Sequence, residues 1–147
     1  MNKNTAFLKD LEQNFTRDLW SMDPSDLEHY GRDWTYPDRP NPCAVFFPRT
    51  KYHVVELVKL AGKHKTAIVP SGGRTGLSGG ACALNGEVVL SLTKMSGIGK
   101  VDVVSRTLEV EAGAVTEAVH EACKPHGLTW PVDFASKGSS QVGGNIA

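Results

Sequence analysis

Apolar positions along this chain follow first a helical period, then a strand period, then a helical one again. TAFLKDLEQNF places Phe7, Leu8, Leu11 and Phe15 at helical spacing. DPSDLEHYG reads as a short helix with Asp23 as its cap, Pro24 in its first turn and Gly31 as its stop. RDWTYPDRPNP has three prolines and no period, which predicts an extended loop. AVFFP is a strand candidate. TKYHVVELVKLAGKHK then puts Val54, Leu57, Val58 and Ala61 on one helical face, with Thr50 as cap. AIVP is a second short strand that runs into a glycine loop, and EVVLSL is a third. Strand–helix–strand order predicts a parallel pair joined by a right-handed crossover.

GKVDVVSRTLEVEAG reads as a hairpin. Its Leu108, Val110 and Ala112 alternate with Glu109 and Glu111, as a half-buried strand requires. A helix from Thr116 to Lys124 is expected to turn Val115, Ala118, Val119 and Ala122 inward, with Pro125 and Gly127 stopping it. LTWPVD is extended. The chain closes on SKGSSQVGGNIA, a second glycine-rich stretch, with no closing element after it. That predicts a fragment rather than a finished domain.

Composition narrows the function classes. The 147 residues suit one domain. Sixteen basic residues balance sixteen acidic ones, against the basic excess of a nucleic-acid binder. No apolar run approaches the roughly 18 residues of a spanning helix, so no transmembrane segment is expected. The N-terminus is too charged for a secretory signal, which makes the cytoplasm the expected location. Cys43, Cys82 and Cys123 are scattered and form no CxxC, so no metal site is expected. The histidines are scattered too, in solvated or capping positions.

The chemistry concentrates in VPSGGRTGLSGG, Val69 to Gly80, which holds five glycines. Each glycine weakens regular structure by roughly 0.5–1 kcal/mol relative to alanine, so the backbone itself is the working part. Successive N–H groups in a tight turn can converge on a phosphate as a nest, and a Cβ would block the approach. Ser71, Thr75 and Ser78 add hydroxyls. Arg74 adds charge or points into water. The spacing matches neither a P-loop nor a Rossmann turn. The residues alone leave an anion-binding loop and a structural turn both open. The second stretch, with Gly138, Gly143, Gly144, Ser139, Ser140 and Asn145, offers further donors. Two such loops fit one long ligand, a dinucleotide, held at two places.

These two loops, with VVLSLTKMSGI and YGRDWT, resemble the PCMH-type FAD-binding domain of the vanillyl-alcohol oxidase superfamily. The closest branch looks like the D-2-hydroxyacid dehydrogenases, which include D-lactate, glycolate and D-2-hydroxyglutarate enzymes. The resemblance covers nearly the whole chain. It implies an α+β, two-lobed fold: a first lobe built on a small parallel β-α-β sheet with helices, and a second lobe left incomplete. It also implies a helical and extended N-terminal segment over 1–41 and an FAD-binding domain over 42–147, truncated on its C-terminal side. The second lobe would be begun by strands near Leu108 and Trp130. Apolar surface around Val142 and Ile146 would favour self-association.

The resemblance carries cofactor contacts onto Pro70, Ser71, Gly72, Gly73, Arg74, Thr75, Gly76, Leu77 and Ser78 for the diphosphate. Those for the flavin side fall on Pro131, Asp133, Ala135, Gly138, Ser139, Gly143, Gly144, Asn145 and Ala147. Some relatives attach the flavin through a histidine in the first loop. GGRTG has none, so FAD is expected to be held noncovalently. The implied reaction oxidises a small-molecule D-2-hydroxy acid to a 2-keto acid. The cap domain that would supply substrate and metal ligands is not in this sequence, so no residue here is assigned a catalytic role. The isolated chain is expected to be inactive and to bind flavin weakly or not at all, because much of the site is missing. The alternative is a folded, flavin-free remnant or interaction module. A flavin reductase of cell-wall synthesis shares the two-lobed fold, but the second loop and GRDWT fit it less well.

Overall fold

The computed structural model describes residues 4–35 and 40–147. The middle of the expected RDWTYPDRPNP loop therefore lies outside the described residues. Helix α1 (Thr5–Asn14) buries Phe7 and Leu11 and ends where Phe15 turns extended. Helix α2 (Pro24–Tyr30) starts as its sequence requires: the Asp23 carboxylate accepts from the Ser25 N–H at 2.9 Å, and Gly31 closes it. Helix α3 (Lys51–His64) is capped by Thr50, whose hydroxyl accepts from the His53 N–H at 3.3 Å. Leu57, Leu60 and Ala61 face its core side. Val58, expected inward, is instead half exposed, because the buried stripe runs through Leu60.

Four short strands form one sheet: β1 (Trp20–Ser21), β2 (Ala44–Phe46), β3 (Ile68–Ser71) and β4 (Val88–Ser91). Their order is β1-β2-β4-β3. β1, which the sequence pattern did not reveal, pairs antiparallel with β2, Trp20 opposite Phe46. β2 and β3 both run parallel to β4. They are not the neighbouring pair that strand–helix–strand order predicts, since β4 lies between them. Chemistry explains the order. β4 is buried at every position and takes the centre, where both faces are covered. β3 carries Pro70, which has no N–H to donate and is tolerated at an edge.

α1 and α3 cover one face of the sheet, where Phe7, Leu11, Phe46, Leu57, Val88 and Leu90 pack together. The other face holds Val45, Val89 and Ala83 against Leu27, Tyr30 and Phe47. Each fully buried side chain of this kind contributes roughly 1.5–3 kcal/mol.

A second cluster forms the other lobe. Helix α4 (Thr116–Cys123) and the short helix α5 (Val142–Ile146) bring Val119, Cys123 and Val142 onto Ala114, with Ile98, Leu108, Val110, Leu128 and Trp130 around them. The hairpin is present as isolated antiparallel bridges, Ile98 with Val110 and Asp102 with Thr107, not as the expected strands. Among the described residues no strand forms near Leu108 or Trp130. Ala118, expected inward, is exposed; Thr116 and Cys123 take the buried face of α4. Val142, expected at the surface, is buried, whereas Ile146 is largely exposed. The lobes meet closely at Gly113, where a Cβ would stand 1.9 Å from the Leu92 carbonyl oxygen.

Candidate functional site

The first glycine loop leaves the C-terminal end of β3. Two left-handed residues bend it, Arg74 at φ +57° and Gly79 at φ +75°. From Gly73 to Gly80 no backbone N–H has an acceptor among the described residues. The carbonyl side, by contrast, is tied down: Gly76 O accepts from the Trp34 N–H at 3.2 Å and Gly79 O from the Cys82 N–H at 3.1 Å.

The segment beneath the loop is GRDWT. Asp33 is buried, and its Oδ1 accepts from the Thr35 N–H (2.9 Å), the Thr35 hydroxyl (2.6 Å) and the Cys82 thiol (3.2 Å). Burial alone would raise the pKa of this carboxyl. The Thr35 hydroxyl and N–H, the Cys82 thiol and the Ala81 N–H outweigh that and hold it below the ordinary value.

Arg74 lines the cleft, but its guanidinium is turned toward α2. Its Nη2 donates to His29 Nε2 at 2.9 Å, and its guanidinium lies 4.9 Å from the centre of the Tyr30 ring. Burial, with the nearby Arg74 and Arg32 charges, pushes the His29 pKa down, which keeps the ring neutral and able to accept. This arrangement fixes the sole guanidinium of the loop sideways and leaves the cleft to neutral donors.

The second stretch is folded against the first. Thr116 Oγ1 lies 2.7 Å from Ser140 Oγ, and Asn145 Nδ2 donates to Thr116 Oγ1 at 2.8 Å. The Val142 and Gly143 N–H groups bond to Ala114 O and Ala112 O at 2.9 and 2.8 Å. The two loops touch at Gly73, where a Cβ would stand 2.1 Å from the Ser139 carbonyl oxygen. The expected glycine loop thus closes as the helix α5, with Gly144 facing open space.

Between the loops lies a cleft of about 470 Å³. All nine residues from Pro70 to Ser78 line it, and Gly143, Gly144, Asn145 and Ala147 line the facing wall. Ser139 lines an adjoining depression with Gly73, Arg74 and Gln141. Four expected contacts stand outside the cleft because the stretch carrying them is drawn onto α4. His120 Nε2 holds Val132 O at 2.9 Å, and Lys137 O accepts the Glu117 N–H at 3.1 Å. Pro131 accordingly lines a separate groove beside Trp130, Asp133 pairs with Lys137 at 3.0 Å, Ala135 is exposed, and Gly138 faces Glu117.

Sequence reasoning missed Asp33 and Gln141, which both line the cleft. The signal for Asp33 was present in GRDWT. Gln141 sits unmarked inside the second glycine stretch. Four buried side-chain polar atoms lack a partner among the described residues, and three belong to this site: Ser71 Oγ, Gln141 Oε1 and Asp33 Oδ2. Buried polar groups are rarely left unpaired, and of these three only the Ser71 hydroxyl can donate to an anion, whereas Gln141 Oε1 and Asp33 Oδ2 are acceptors.

A mostly parallel four-stranded sheet with helices, joined to a second lobe at a cleft of main-chain donors, is the PCMH-type flavin-binding architecture. The chain belongs to the FAD binding domain family, which matches residues 42–147. It is 54% identical over 125 residues to a D-2-hydroxyglutarate dehydrogenase of Xanthomonas citri pv. viticola, covering 85% of this chain and 26% of that protein. It is 48% identical over 124 residues to the enzyme of the same name from Stutzerimonas stutzeri, covering 84% of this chain and 27% of that protein. The chain therefore spans about a quarter of the length of these relatives. Among solved structures, an alkyldihydroxyacetonephosphate synthase superposes with a TM-score of 0.83 at 20% identity, over 95% of this chain and 28% of that one. A 4-ethylphenol oxidase from Gulosibacter chungangensis gives 0.82 at 21%, over 97% and 28%. These likenesses show the fold. Among the described residues no helix is long and apolar enough to cross a membrane.

Proposed function

We propose that this chain forms the diphosphate-holding part of a noncovalent FAD site, in a flavin-dependent dehydrogenase that oxidises a D-2-hydroxy acid to a 2-keto acid. The observation that carries the reading is the run of N–H groups from Gly73 to Gly80 with no acceptor among the described residues, set across one cleft from Gly143 and Gly144. Bound flavin supplies the hydride acceptor. The chain supplies position. Loop amides and the Ser71, Thr75 and Ser78 hydroxyls donate to the diphosphate oxygens, and Gly144 and Asn145 close the opposite wall. A hydrogen bond to a charged group contributes roughly 1.5–3 kcal/mol, so three or four such donors account for specific binding without a lysine. The shared name of the two bacterial relatives supports D-2-hydroxyglutarate as the acid.

Titration of the chain with FAD, ADP and riboflavin, followed by flavin fluorescence and calorimetry, tests this. FAD and ADP are expected to bind weakly and to compete for one site. Riboflavin, which has no phosphate, is expected to bind about 100-fold more weakly or not at all, the loss matching two charged hydrogen bonds. A chain that melts cooperatively yet binds none of the three is the flavin-free module instead. Arg74→Ala is expected to weaken ADP binding less than about fivefold, because the guanidinium serves His29 and Tyr30. A much larger loss means that the guanidinium reaches the phosphates.

A further inference from the structure

We infer that Gln141 is a ligand contact: its side-chain amide donates to a phosphoryl oxygen of the diphosphate held by the glycine loop. The inference deepens the FAD reading and rests on it. Gln141 is 7% exposed, and its amide lies between the two loops. Its Oε1 is closed off from water, has no partner, and backs onto Gly72, where a Cβ would stand 3.5 Å away. Its backbone is fixed by an antiparallel bridge to Val115, and Val142, the next residue, starts α5. The side chain lines both the cleft and the adjoining depression, a position shared only by Asp33, Gly73 and Arg74 among the residues lining these two cavities.

The chemistry of those three neighbours leaves a role for the amide. Gly73 offers a single N–H. The Arg74 guanidinium is turned to His29. Asp33 is an anion and cannot face a phosphate favourably. Gln141 is the neutral side-chain donor at the junction. With Oε1 seated on Gly72, its Nε2 is the end left for a ligand.

The test uses the 147-residue chain, with ADP as the probe and thermal melting run in parallel. Gln141→Ala is expected to weaken ADP binding about tenfold or more with the melting temperature little changed. Gln141→Glu is expected to abolish binding near pH 7.5 and to recover much of it near pH 5, where a protonated glutamic acid next to phosphate replaces the lost donor. Gln141→Asn, one methylene shorter, keeps the amide but not its reach, and should resemble Ala in affinity and wild type in stability. The inference is overturned if Gln141→Ala or Gln141→Asn binds ADP within twofold of wild type. It is also overturned if Gln141→Glu shows no pH-dependent recovery beyond that of wild type. A wild-type chain that binds neither ADP nor FAD removes the reading that this chain holds the diphosphate on its own, and this inference with it.

Discussion

Leucine in place of Gly144 is expected to abolish FAD and ADP binding while leaving the chain folded. Gly144 lines the cleft, and a Cβ built there meets nothing within 4 Å. A side chain at this position therefore starts into open space at the cleft wall, where a ligand would lie, rather than into the fold. Gly144 also lies inside α5, where exchanging glycine for leucine improves helix propensity by roughly 0.5–1 kcal/mol. The melting temperature should hold or rise while affinity falls by about 100-fold or more. Gly73 makes the contrast. Its Cβ would stand 2.1 Å from the Ser139 carbonyl oxygen and 2.8 Å from Ser140 Cα, both backbone atoms that cannot swing aside. Gly73→Ala or Gly73→Val should thus force the loops apart and lose stability and binding together. Calorimetric melts and ADP titration of the two variants separate these cases. If Gly144→Leu binds ADP like wild type, the ligand does not occupy this cleft.

The same comparison shows why a glycine-rich sequence is read more easily than it is interpreted. The first loop was legible as a main-chain device because five glycines in twelve residues have no other economical explanation. Which glycines face a ligand and which face protein is a tertiary matter: Gly73 packs against Ser139, and Gly144 faces open space. Caps were legible because Asp23, Thr50 and Gly31 act on residues two to four positions away. Strand order was not, because β4 enters between β2 and β3 through contacts that no local pattern encodes. In α3 the apolar residues permit more than one stripe, so choosing between Val58 and Leu60 needed the sheet beneath them. Thr116, Asp33 and Gln141 look like surface residues in a sequence. They are buried because each finds partners, or lacks one, only after distant segments meet.

Asp33 yields the second large effect. Asp33→Ala is expected to destabilise the chain by about 2–4 kcal/mol, the sum expected for stranding three partly buried donors around one carboxylate oxygen. The Thr35 N–H and hydroxyl and the Cys82 thiol would all lose their acceptor. The link from GRDWT to the loop would then rest on the Trp34 N–H to Gly76 O bond, with only the Thr35 Oγ1–Cys82 Sγ contact and the Ala83 N–H to Gly31 O bond just beyond the loop, so ADP affinity should fall as well. The folded carboxyl titrates below its unfolded value of 3.8, so the folded state favours the ionised form. Its contribution is full above about pH 4 and is lost as pH falls through the depressed folded value. Between about pH 5 and 8 this group adds no slope to stability. Asp33→Asn keeps an oxygen for Thr35 but removes the charge. It should cost less than Ala at neutral pH and flatten the loss of stability in acid. Urea unfolding of wild type and both variants, near pH 7 and near pH 3, measures each part. Equal urea midpoints for wild type and Asp33→Ala at neutral pH would mean that the loop is held by its own backbone, and that the carboxylate beneath it is incidental.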